Sequence, residues 1–308
     1  MDISIVIPAY NEEESIAELL EEINSTLTPL NKPFEVIVID DGSTDKTLEV
    51  LKAQKDRFNW LRIVSFRKNY GKSAALSWAF KEANGKCVIT MDADLQDDPK
   101  EIPNLIEKLN SENFDLISGW KKRRKDPLSK TIPSRFFNIV TSRITGIRIH
   151  DFNCGLKAYR GEVVKNLTVY GELHRFLPVL AHWNGFRVAE LVVHHRPRKF
   201  GKTKFGISRF FNGFFDLMTV LFITRYQTTP LHIFGMLGAL TVLLGLSIEL
   251  YLTILWFIGE GIRNRPLFFL GILCIIVGIQ FIVFGLLGEM ISAKFAEKVH
   301  YSIKEKID

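Results

Sequence analysis

Two aspartates separated by one residue, Asp92 and Asp94, follow a short apolar run and are the clearest candidates for chemistry in this sequence. At the end of a strand their carboxylates can close on one hard cation, and Gln96 can add a neutral oxygen. Such oxygen ligands suit Mg²⁺ or Mn²⁺, which can bridge a diphosphate and stabilise its departure as a Lewis acid. The alternative is a solvated acidic turn that precedes a helix beginning near Pro99.

Polar residues also follow two earlier apolar runs. Tyr10 and Glu12 come after the first run, and Asp41 and Gly42 come after the second. They provide an aromatic ring, carboxylates and a glycine that permits a tight turn. Together these groups could surround a base and a ribose.

Alternating strand and helix patterns in the first 120 residues must position these side chains. The predicted strands are Ile3–Ala9, Phe34–Ile39, Leu61–Phe66, Lys86–Met91 and Phe114–Gly119. The predicted helices are Ile16–Leu27, Thr44–Gln54, Gly71–Ala83 and Pro99–Leu109. Asn11 and Glu14 have the spacing of a capping box before the first helix. The alternation predicts an α/β fold with a mostly parallel sheet, covered on both faces, that binds ligands at the carboxyl ends of its strands.

Two apolar segments follow near the end of the chain. From Leu231 to Ile258 the only formal charge is Glu249, and from Leu267 to Gly288 there is none. As helices they would be roughly 42 and 33 Å long, enough for a hydrocarbon core of about 30 Å. The short connection Gly259–Arg265 predicts an antiparallel transmembrane hairpin.

The positive charges predict the orientation of this hairpin. Cations flank both of its ends, at Arg196, Arg198, Lys199, Lys202, Lys204, Arg209, Arg225, Lys294, Lys298, Lys304 and Lys306. The connecting loop carries only Arg263 and Arg265, so the large N-terminal part is expected in the cytoplasm of a multi-pass cell-membrane protein. No pattern typical of a cleavable signal peptide opens the sequence.

These features predict four regions: a cytoplasmic domain over 1–207, a juxtamembrane segment over 208–230, the hairpin over 231–290 and a cytoplasmic tail over 291–308. Arg135–Ile147 and Ser208–Thr229 are amphipathic. Each could lie on anionic lipid headgroups or pack within the protein.

Composition excludes several classes. The chain has 308 residues, a net charge of +6 and 47% hydrophobic residues, which excludes a disordered protein. Three widely separated cysteines exclude a disulfide framework and a thiolate zinc site. Gly71-Lys72-Ser73 is similar to the end of a Walker motif, but Phe66 stands where its first glycine belongs, which excludes a P-loop ATPase.

The strings IPAYNEE, IDDGSTD and DADLQDDP, in this order, resemble the family 2 glycosyltransferases over about residues 1–205. The resemblance implies the nucleotide-diphospho-sugar transferase (GT-A-like) fold and inverting chemistry. By position, it implies nucleotide-sugar contacts at Pro8, Tyr10, Glu12, Asp41 and Asp92. It also implies a metal site at Asp92, Asp94 and Gln96.

The strings DFNCGLK, ELHRFLP and HRPRKFGKTKFG resemble the dolichol- and undecaprenyl-phosphate sugar synthases within that family. The likeness implies phosphate contacts at Arg123, Arg135, Arg198 and Lys204. The candidate catalytic residues are then Asp94, Asp151, Arg123 and Arg135, while Arg198 and Lys204 join the nucleotide-sugar site. Asp151 is either an acceptor-side carboxylate or part of a turn. His174 is expected to pack or hydrogen-bond rather than to act as a base.

The predicted reaction is transfer of a hexose from a nucleotide-diphospho-sugar, first of all UDP-glucose, to a polyprenyl phosphate at the cytoplasmic membrane face. Its partners would be the donor, the lipid acceptor and membrane lipid, without nucleic acid. Glycines such as Gly238 and Gly278 allow close helix contacts, within the hairpin or in a homo-oligomer. The alternatives are a processive polysaccharide synthase, which the lack of a QxxRW string disfavours, and a non-catalytic binding protein, which the retained aspartates disfavour.

Overall fold

The computed structural model describes residues 1–122, 138–143, 145–197, 199, 219, 230–259 and 266–296. These residues fall into two units, one within Met1–Val220 and one within Leu221–Tyr301. Of the two predicted amphipathic segments, Ser208–Thr229 lies outside the described residues except for residue 219, whereas residues 138–143 and 145 of Arg135–Ile147 are helical. The predicted division into four regions stays a prediction.

The first unit is built from alternating strands and helices. Its strands are β1 (Ile3–Ala9), β2 (Phe34–Asp40), β3 (Leu61–Ser65), β4 (Cys87–Thr90), β5 (Leu116–Trp120), β6 (Lys157–Arg160) and β7 (Val188–Val192). Its helices are α1 (Ile16–Leu27), α2 (Thr47–Arg57), α3 (Lys72–Glu82), α4 (Ile102–Ser111), α5 (Gly161–Asn166) and α6 (Leu177–Trp183). The five predicted strands and four predicted helices are all present, with ends shifted by a few residues.

The described strands form one mixed sheet in the order β3-β2-β1-β4-β6-β5-β7. Strand β6 pairs antiparallel with both β4 and β5, whereas the other four pairings are parallel. The mostly parallel sheet is therefore confirmed. Because β6 is reversed, its first residue, Lys157, pairs with Thr90 at the end of β4. Lys157 thus lies at the edge where the neighbouring strand ends.

Both faces of the sheet are covered, as the continuous apolar strands predict. Ile5 and Val6 are adjacent in β1 and point to opposite faces, yet both are fully buried. One face packs against α1 and α4, with Leu19 and Leu105 in the same apolar cluster as Ile5. The other face packs against α3, as β1 and β2 both contact that helix.

The start of α1 differs from the prediction. The residue preceding the helix is Ser15, and its side chain makes no capping bond, so the expected capping box at Asn11 and Glu14 is wrong. Asn11 instead has a φ of 57°, and its Oδ1 accepts a hydrogen bond from the Thr44 amide at 2.8 Å. Its polar side chain therefore joins the loops after β1 and β2 rather than capping α1.

The second unit consists of two long helices, α7 (Pro230–Phe257) and α8 (Pro266–Ala296). Among the described residues these are the two helices long and apolar enough to cross a membrane, with mean hydropathies of 2.0 and 2.9. They pack antiparallel, with Gly238 against Gly278 and Gly245 against Gly271. A Cβ atom added to Gly238 would lie 2.5 Å from the Gly278 carbonyl oxygen, so glycine permits this close approach.

The buried carboxylate of Glu35 in β2 connects this strand to its two neighbours, β1 and β3. Glu35 is 3% exposed; it accepts hydrogen bonds from Ser4 Oγ at 2.6 Å and the Asn84 amide at 2.9 Å, and Arg62 lies 2.8 Å away. Burial alone would raise the pKa of Glu35, but these donors together lower it below its ordinary value. Glu35 therefore stabilises the folded state in its ionised form.

Replacing Glu35 with glutamine is expected to lower the free energy of unfolding by about 1–3 kcal/mol at neutral pH, because charged hydrogen bonds are lost. A lowered folded-state pKa stabilises the protein above the unfolded value of about 4.3, and this stabilisation is lost as pH falls through the folded value. Thermal unfolding in detergent at pH 7 and below pH 4 should therefore show the difference shrinking in acid. The control is Glu82→Gln, because Glu82 also contacts Arg62 but is exposed. This variant should change Tm less. An equal loss of Tm at both pH values would contradict the prediction.

Candidate functional site

The loops after β1, β2 and β4 meet at one edge, because these strands are neighbours in the sheet. They enclose a cavity of about 310 Å³. Six of the residues predicted from the sequence line it, namely Pro8, Tyr10, Glu12, Asp41, Asp92 and Asp94. The structure thus brings together side chains that are more than 80 residues apart in the chain.

Backbone amides of the loop after β1 donate hydrogen bonds to side chains that follow β2 and so hold this part of the cavity wall. The Asn11 amide donates to Ser43 Oγ at 3.0 Å, and the Glu12 amide donates to Thr47 Oγ1 at 2.8 Å. The Glu12 carboxylate accepts from Ser15 Oγ at 2.7 Å. These contacts fix Glu12 in the cavity wall before any ligand binds.

Asp41 is buried and orders a third loop. Its two carboxylate oxygens accept from the amides of Tyr70 and Gly71, each at 2.8 Å. Gly42 has a φ of 67°, and a Cβ there would lie 2.7 Å from the Asn69 amide nitrogen. Asp41 therefore shapes the part of the wall that includes Asn69 and Gly71. Its predicted contact with the base or ribose stays a prediction.

Asp92 lies at the centre of the site. Its carboxylate forms an ion pair with Lys72 and packs directly against Gly155, where a Cβ would lie 2.6 Å from the carboxylate carbon. Partial burial would raise the pKa of Asp92, but the ammonium groups of Lys72 and Lys121 lower it to about 2. Asp92 is therefore an anion throughout the physiological pH range.

Asp94 and Gln96 differ in their placement. Asp94 lines the 310 Å³ cavity, and its Oδ1 accepts from the Gln96 amide at 3.2 Å across a turn in which Leu95 has a φ of 60°. Gln96 is absent from that lining, and its carbonyl accepts from the Arg196 amide at 3.0 Å. A ligand role for the Gln96 side chain stays a prediction.

The next two residues of the acidic run, Asp97 and Asp98, were given no role from the sequence. Asp97 forms an ion pair with Lys121 at 2.9 Å, and Asp98 forms one with Arg196 at 2.7 Å. Although burial would lower the pKa of Lys121, Asp97 raises it. Arg196 also contacts Glu22 of α1 at 2.7 Å. The loop after β4 is thereby joined to two basic segments of the chain.

Asp151 is buried, and the structure shows it in a turn. Its Oδ1 accepts from the Asn153 amide at 3.1 Å, and its carbonyl accepts from Ser118 Oγ at 3.3 Å. Asp151 lines neither of the cavities described here. Its acceptor-side role stays a prediction. The four candidates for phosphate contacts, Arg123, Arg135, Arg198 and Lys204, lie outside the described residues.

A second cavity, of about 160 Å³, adjoins the first and shares Pro8, Lys72 and Asp92 with it. Lys157, His174 and Arg175 also line it, at the start of β6 and in the turn before α6. Lys157 and Arg175 were not singled out from the sequence, although they lie within the strings DFNCGLK and ELHRFLP. Only the fold shows that these strings reach the site.

His174 makes the hydrogen bond favoured by the sequence. Its Nδ1 lies 3.0 Å from Ser73 Oγ, and its backbone amide donates to the same oxygen at 3.2 Å. Burial lowers the pKa of His174 to about 2, helped by the charges of Lys72 and Arg175. The imidazole is therefore neutral and a weak base.

The donor set at this edge fits a divalent metal that is bound together with a substrate. Among the residues that the structure describes, no group of three or more His, Cys, Asp or Glu side chains could form an all-protein cage. Asp92 and Asp94 nevertheless line the same cavity. Mg²⁺ typically uses one or two carboxylates and completes its shell with substrate phosphates and water. Two carboxylates on one cavity that is open to a substrate meet that requirement.

The fold and this edge define a GT-A-like nucleotide-sugar transferase. The family model for glycosyl transferase family 2 matches residues 4–168, and the chain belongs to that family. Glucosyl-3-phosphoglycerate synthase from Mycobacterium tuberculosis, solved with Mn²⁺, uridine diphosphate and phosphoglyceric acid, has a similar fold, with a TM-score of 0.56. The match covers 72% of this chain and 78% of that one at 20% identity.

Two curated relatives match nearly the whole chain. The dodecaprenyl-phosphate galacturonate synthase of Rhizobium johnstonii is 39% identical over 96% of this chain and 89% of its own length. The undecaprenyl-phosphate 4-deoxy-4-formamido-L-arabinose transferase of Salmonella choleraesuis is 36% identical over 94% and 88%. The family predicted from the three strings is thus confirmed.

Proposed function

We propose that this chain transfers a hexose from a nucleotide-diphospho-sugar to a polyprenyl phosphate, with inversion at the anomeric carbon. The observation that carries the proposal is the cavity in which Asp92, Asp94 and Lys72 meet beside Tyr10 and Asp41. Two carboxylates and a cation suit a metal-bound diphosphate. The relatives named for polyprenyl-phosphate sugar transfer span nearly the whole chain and support the lipid acceptor.

The chemistry requires positioning more than proton removal. A phosphate monoester has a second pKa of about 6, so the acceptor oxygen is already an anion near neutral pH. That oxygen attacks the anomeric carbon, the bond from this carbon to the β-phosphate oxygen breaks, and the nucleoside diphosphate leaves with the electron pair. A weakly basic His174 is consistent with a reaction that needs no strong general base.

Charge on the leaving diphosphate is the main quantity to stabilise. Mg²⁺ or Mn²⁺ would supply Lewis acidity there when bound by Asp92 and Asp94. Lys72, at the junction of the two cavities, supplies a fixed positive charge from the chain itself. The loops joined through Asn11 and Asp41 hold the nucleotide end, so the reacting carbon is presented in one orientation.

The membrane arrangement follows from the two apolar helices. We propose that α7 and α8 cross the cell membrane and that the catalytic unit faces the cytoplasm. The helices have suitable length and hydropathy, and the cation-rich flanks favour that orientation. This places the site on the side where nucleotide sugars are made and where the lipid phosphate can be reached.

The test is transfer by the purified full chain in detergent with undecaprenyl phosphate and a panel of labelled UDP- and GDP-sugars, with UDP-glucose as the reference donor. We expect one class of donor to give a chloroform-soluble product and an equal amount of nucleoside diphosphate, and EDTA to abolish both. A labelled polymer would favour a processive synthase, and release of free sugar without lipid labelling would refute the proposed acceptor.

A further inference from the structure

The 160 Å³ cavity is placed to hold the part of the donor beyond its diphosphate. It opens from the nucleotide cavity at Lys72 and Asp92, which line both. Its volume is several times the ~30 Å³ that one water occupies in the liquid, so it has room for more than a water or an ion. A donor whose diphosphate lies beside Asp92 and Asp94 would direct its sugar into this space.

The cavity wall carries an excess of positive charge. Lys72, Lys157 and Arg175 line it against the single carboxylate of Asp92, and His174 is neutral. Two of these cations have carboxylate partners, since Lys72 pairs with Asp92 and Arg175 contacts Glu172 at 2.8 Å. The third, Lys157, differs from them.

Lys157 is 3% exposed, and its Nζ donates to the Cys154 carbonyl. Among the residues described, no carboxylate lies within ion-pair distance of Nζ; Asp92 is paired with Lys72, and Asp151 accepts from the Asn153 amide. Burial lowers the pKa of Lys157 and the charge of Lys72 adds to that effect, whereas the more distant charges of Asp151 and Asp92 oppose it. A buried ammonium that makes no direct ion pair with the described carboxylates is costly, so an anionic group in the cavity would be bound favourably.

We propose that this cavity receives the sugar of the donor and that Lys157 binds a carboxylate on that sugar, so that the preferred donors are nucleotide-activated hexuronic acids. The inference rests on the proposed function and specifies its sugar. The two relatives are named for different sugars, galacturonate and a formamido-arabinose, and only the first carries a carboxylate. The charge of the cavity favours the first.

The test compares UDP-galacturonate and UDP-glucuronate with UDP-galactose and UDP-glucose, using the full chain in lipid nanodiscs. Hydrogen bonds to charged groups contribute about 1.5–3 kcal/mol, so kcat/KM should favour the uronates by roughly 10- to 100-fold. Lys157→Met should remove most of this preference by weakening uronate use alone, and Lys157→Arg should retain much of it. Lys86→Met is the matched control, because Lys86 directly precedes β4 and its side chain is highly exposed. It should leave the preference unchanged.

Competition of each donor against labelled UDP measures the same preference without turnover. Equal or weaker binding of uronates to the wild-type chain would overturn the inference, as would a preference unchanged in Lys157→Met. If neutral hexoses are transferred to lipid in preference, the inference fails while the proposed function stands. If uronates bind preferentially but no lipid is labelled, the proposed acceptor fails while the sugar assignment stands.

Discussion

Replacing Asp94 with asparagine is expected to reduce sugar transfer roughly 10²- to 10³-fold, the range seen when one group that stabilises transition-state charge is removed. The amide has nearly the shape of the carboxylate, and its oxygen can still accept from the Gln96 amide. The turn after β4 should therefore persist. The loss would come from the missing negative charge beside the diphosphate.

Initial rates across a titration of Mg²⁺ and of Mn²⁺ measure this effect. The rate of Asp94→Asn should stay low at every metal concentration, while its Tm in detergent stays close to that of the wild-type chain. Asp56→Asn, on the exposed surface of α2, is the control and should retain full activity. Wild-type turnover by Asp94→Asn would remove Asp94 from the metal site.

Replacing Lys72 with methionine is expected to reduce kcat/KM for the donor by about 10²-fold. The variant loses the cation that faces both cavities and leaves the Asp92 carboxylate without its ion-pair partner. Charged hydrogen bonds of about 1.5–3 kcal/mol account for a factor of this size. The methionine side chain keeps much of the volume of the lysine stem, so a cavity in the packing is not the cause.

Steady-state kinetics with saturating lipid acceptor separate the two possible effects of this variant. An interaction made equally with substrate and transition state raises KM alone, whereas one made only in the transition state lowers kcat. We expect kcat to fall, because charge on the diphosphate grows as it leaves. Lys81→Met, near the other end of α3 and exposed, is the control. Unchanged kinetics for Lys72→Met would show that the ion pair with Asp92 has no part in transfer.

Six predicted site residues line the 310 Å³ cavity, and the sequence could place them together because each lies close to a strand end. Pro8, Tyr10, Asp41 and Asp94 each lie within a few residues of a strand end, and the βα alternation places those ends at one edge. The distance of a residue from the end of its strand is then nearly enough to predict that it lies in the site. Asn11 was the exception, because its partner is Thr44 in another loop rather than the adjacent helix.

The residues of the 160 Å³ cavity could not be predicted in the same way. Lys157 reaches the site because β6 enters the sheet antiparallel between β4 and β5, and no periodicity in the sequence indicates that insertion. Arg175 reaches it from the turn before α6. The ion pairs of Asp97 with Lys121 and of Asp98 with Arg196 likewise join distant segments. Charge runs such as these are hard to distinguish from solvated surface until the fold gives each charge its partner.

Because β6 runs in the reverse direction, different segments of the chain line the two adjoining cavities at this edge of the sheet. The loops after β1, β2 and β4 enclose the cavity with Tyr10 and Asp41, whereas β6 brings its own first residue to the adjoining one. Under the proposed assignment, replacing Lys157 at the start of that strand changes which monosaccharide is accepted and leaves the residues of the 310 Å³ cavity unchanged. A fold arranged in this way can change the sugar that it transfers while it keeps the same nucleotide part of the donor.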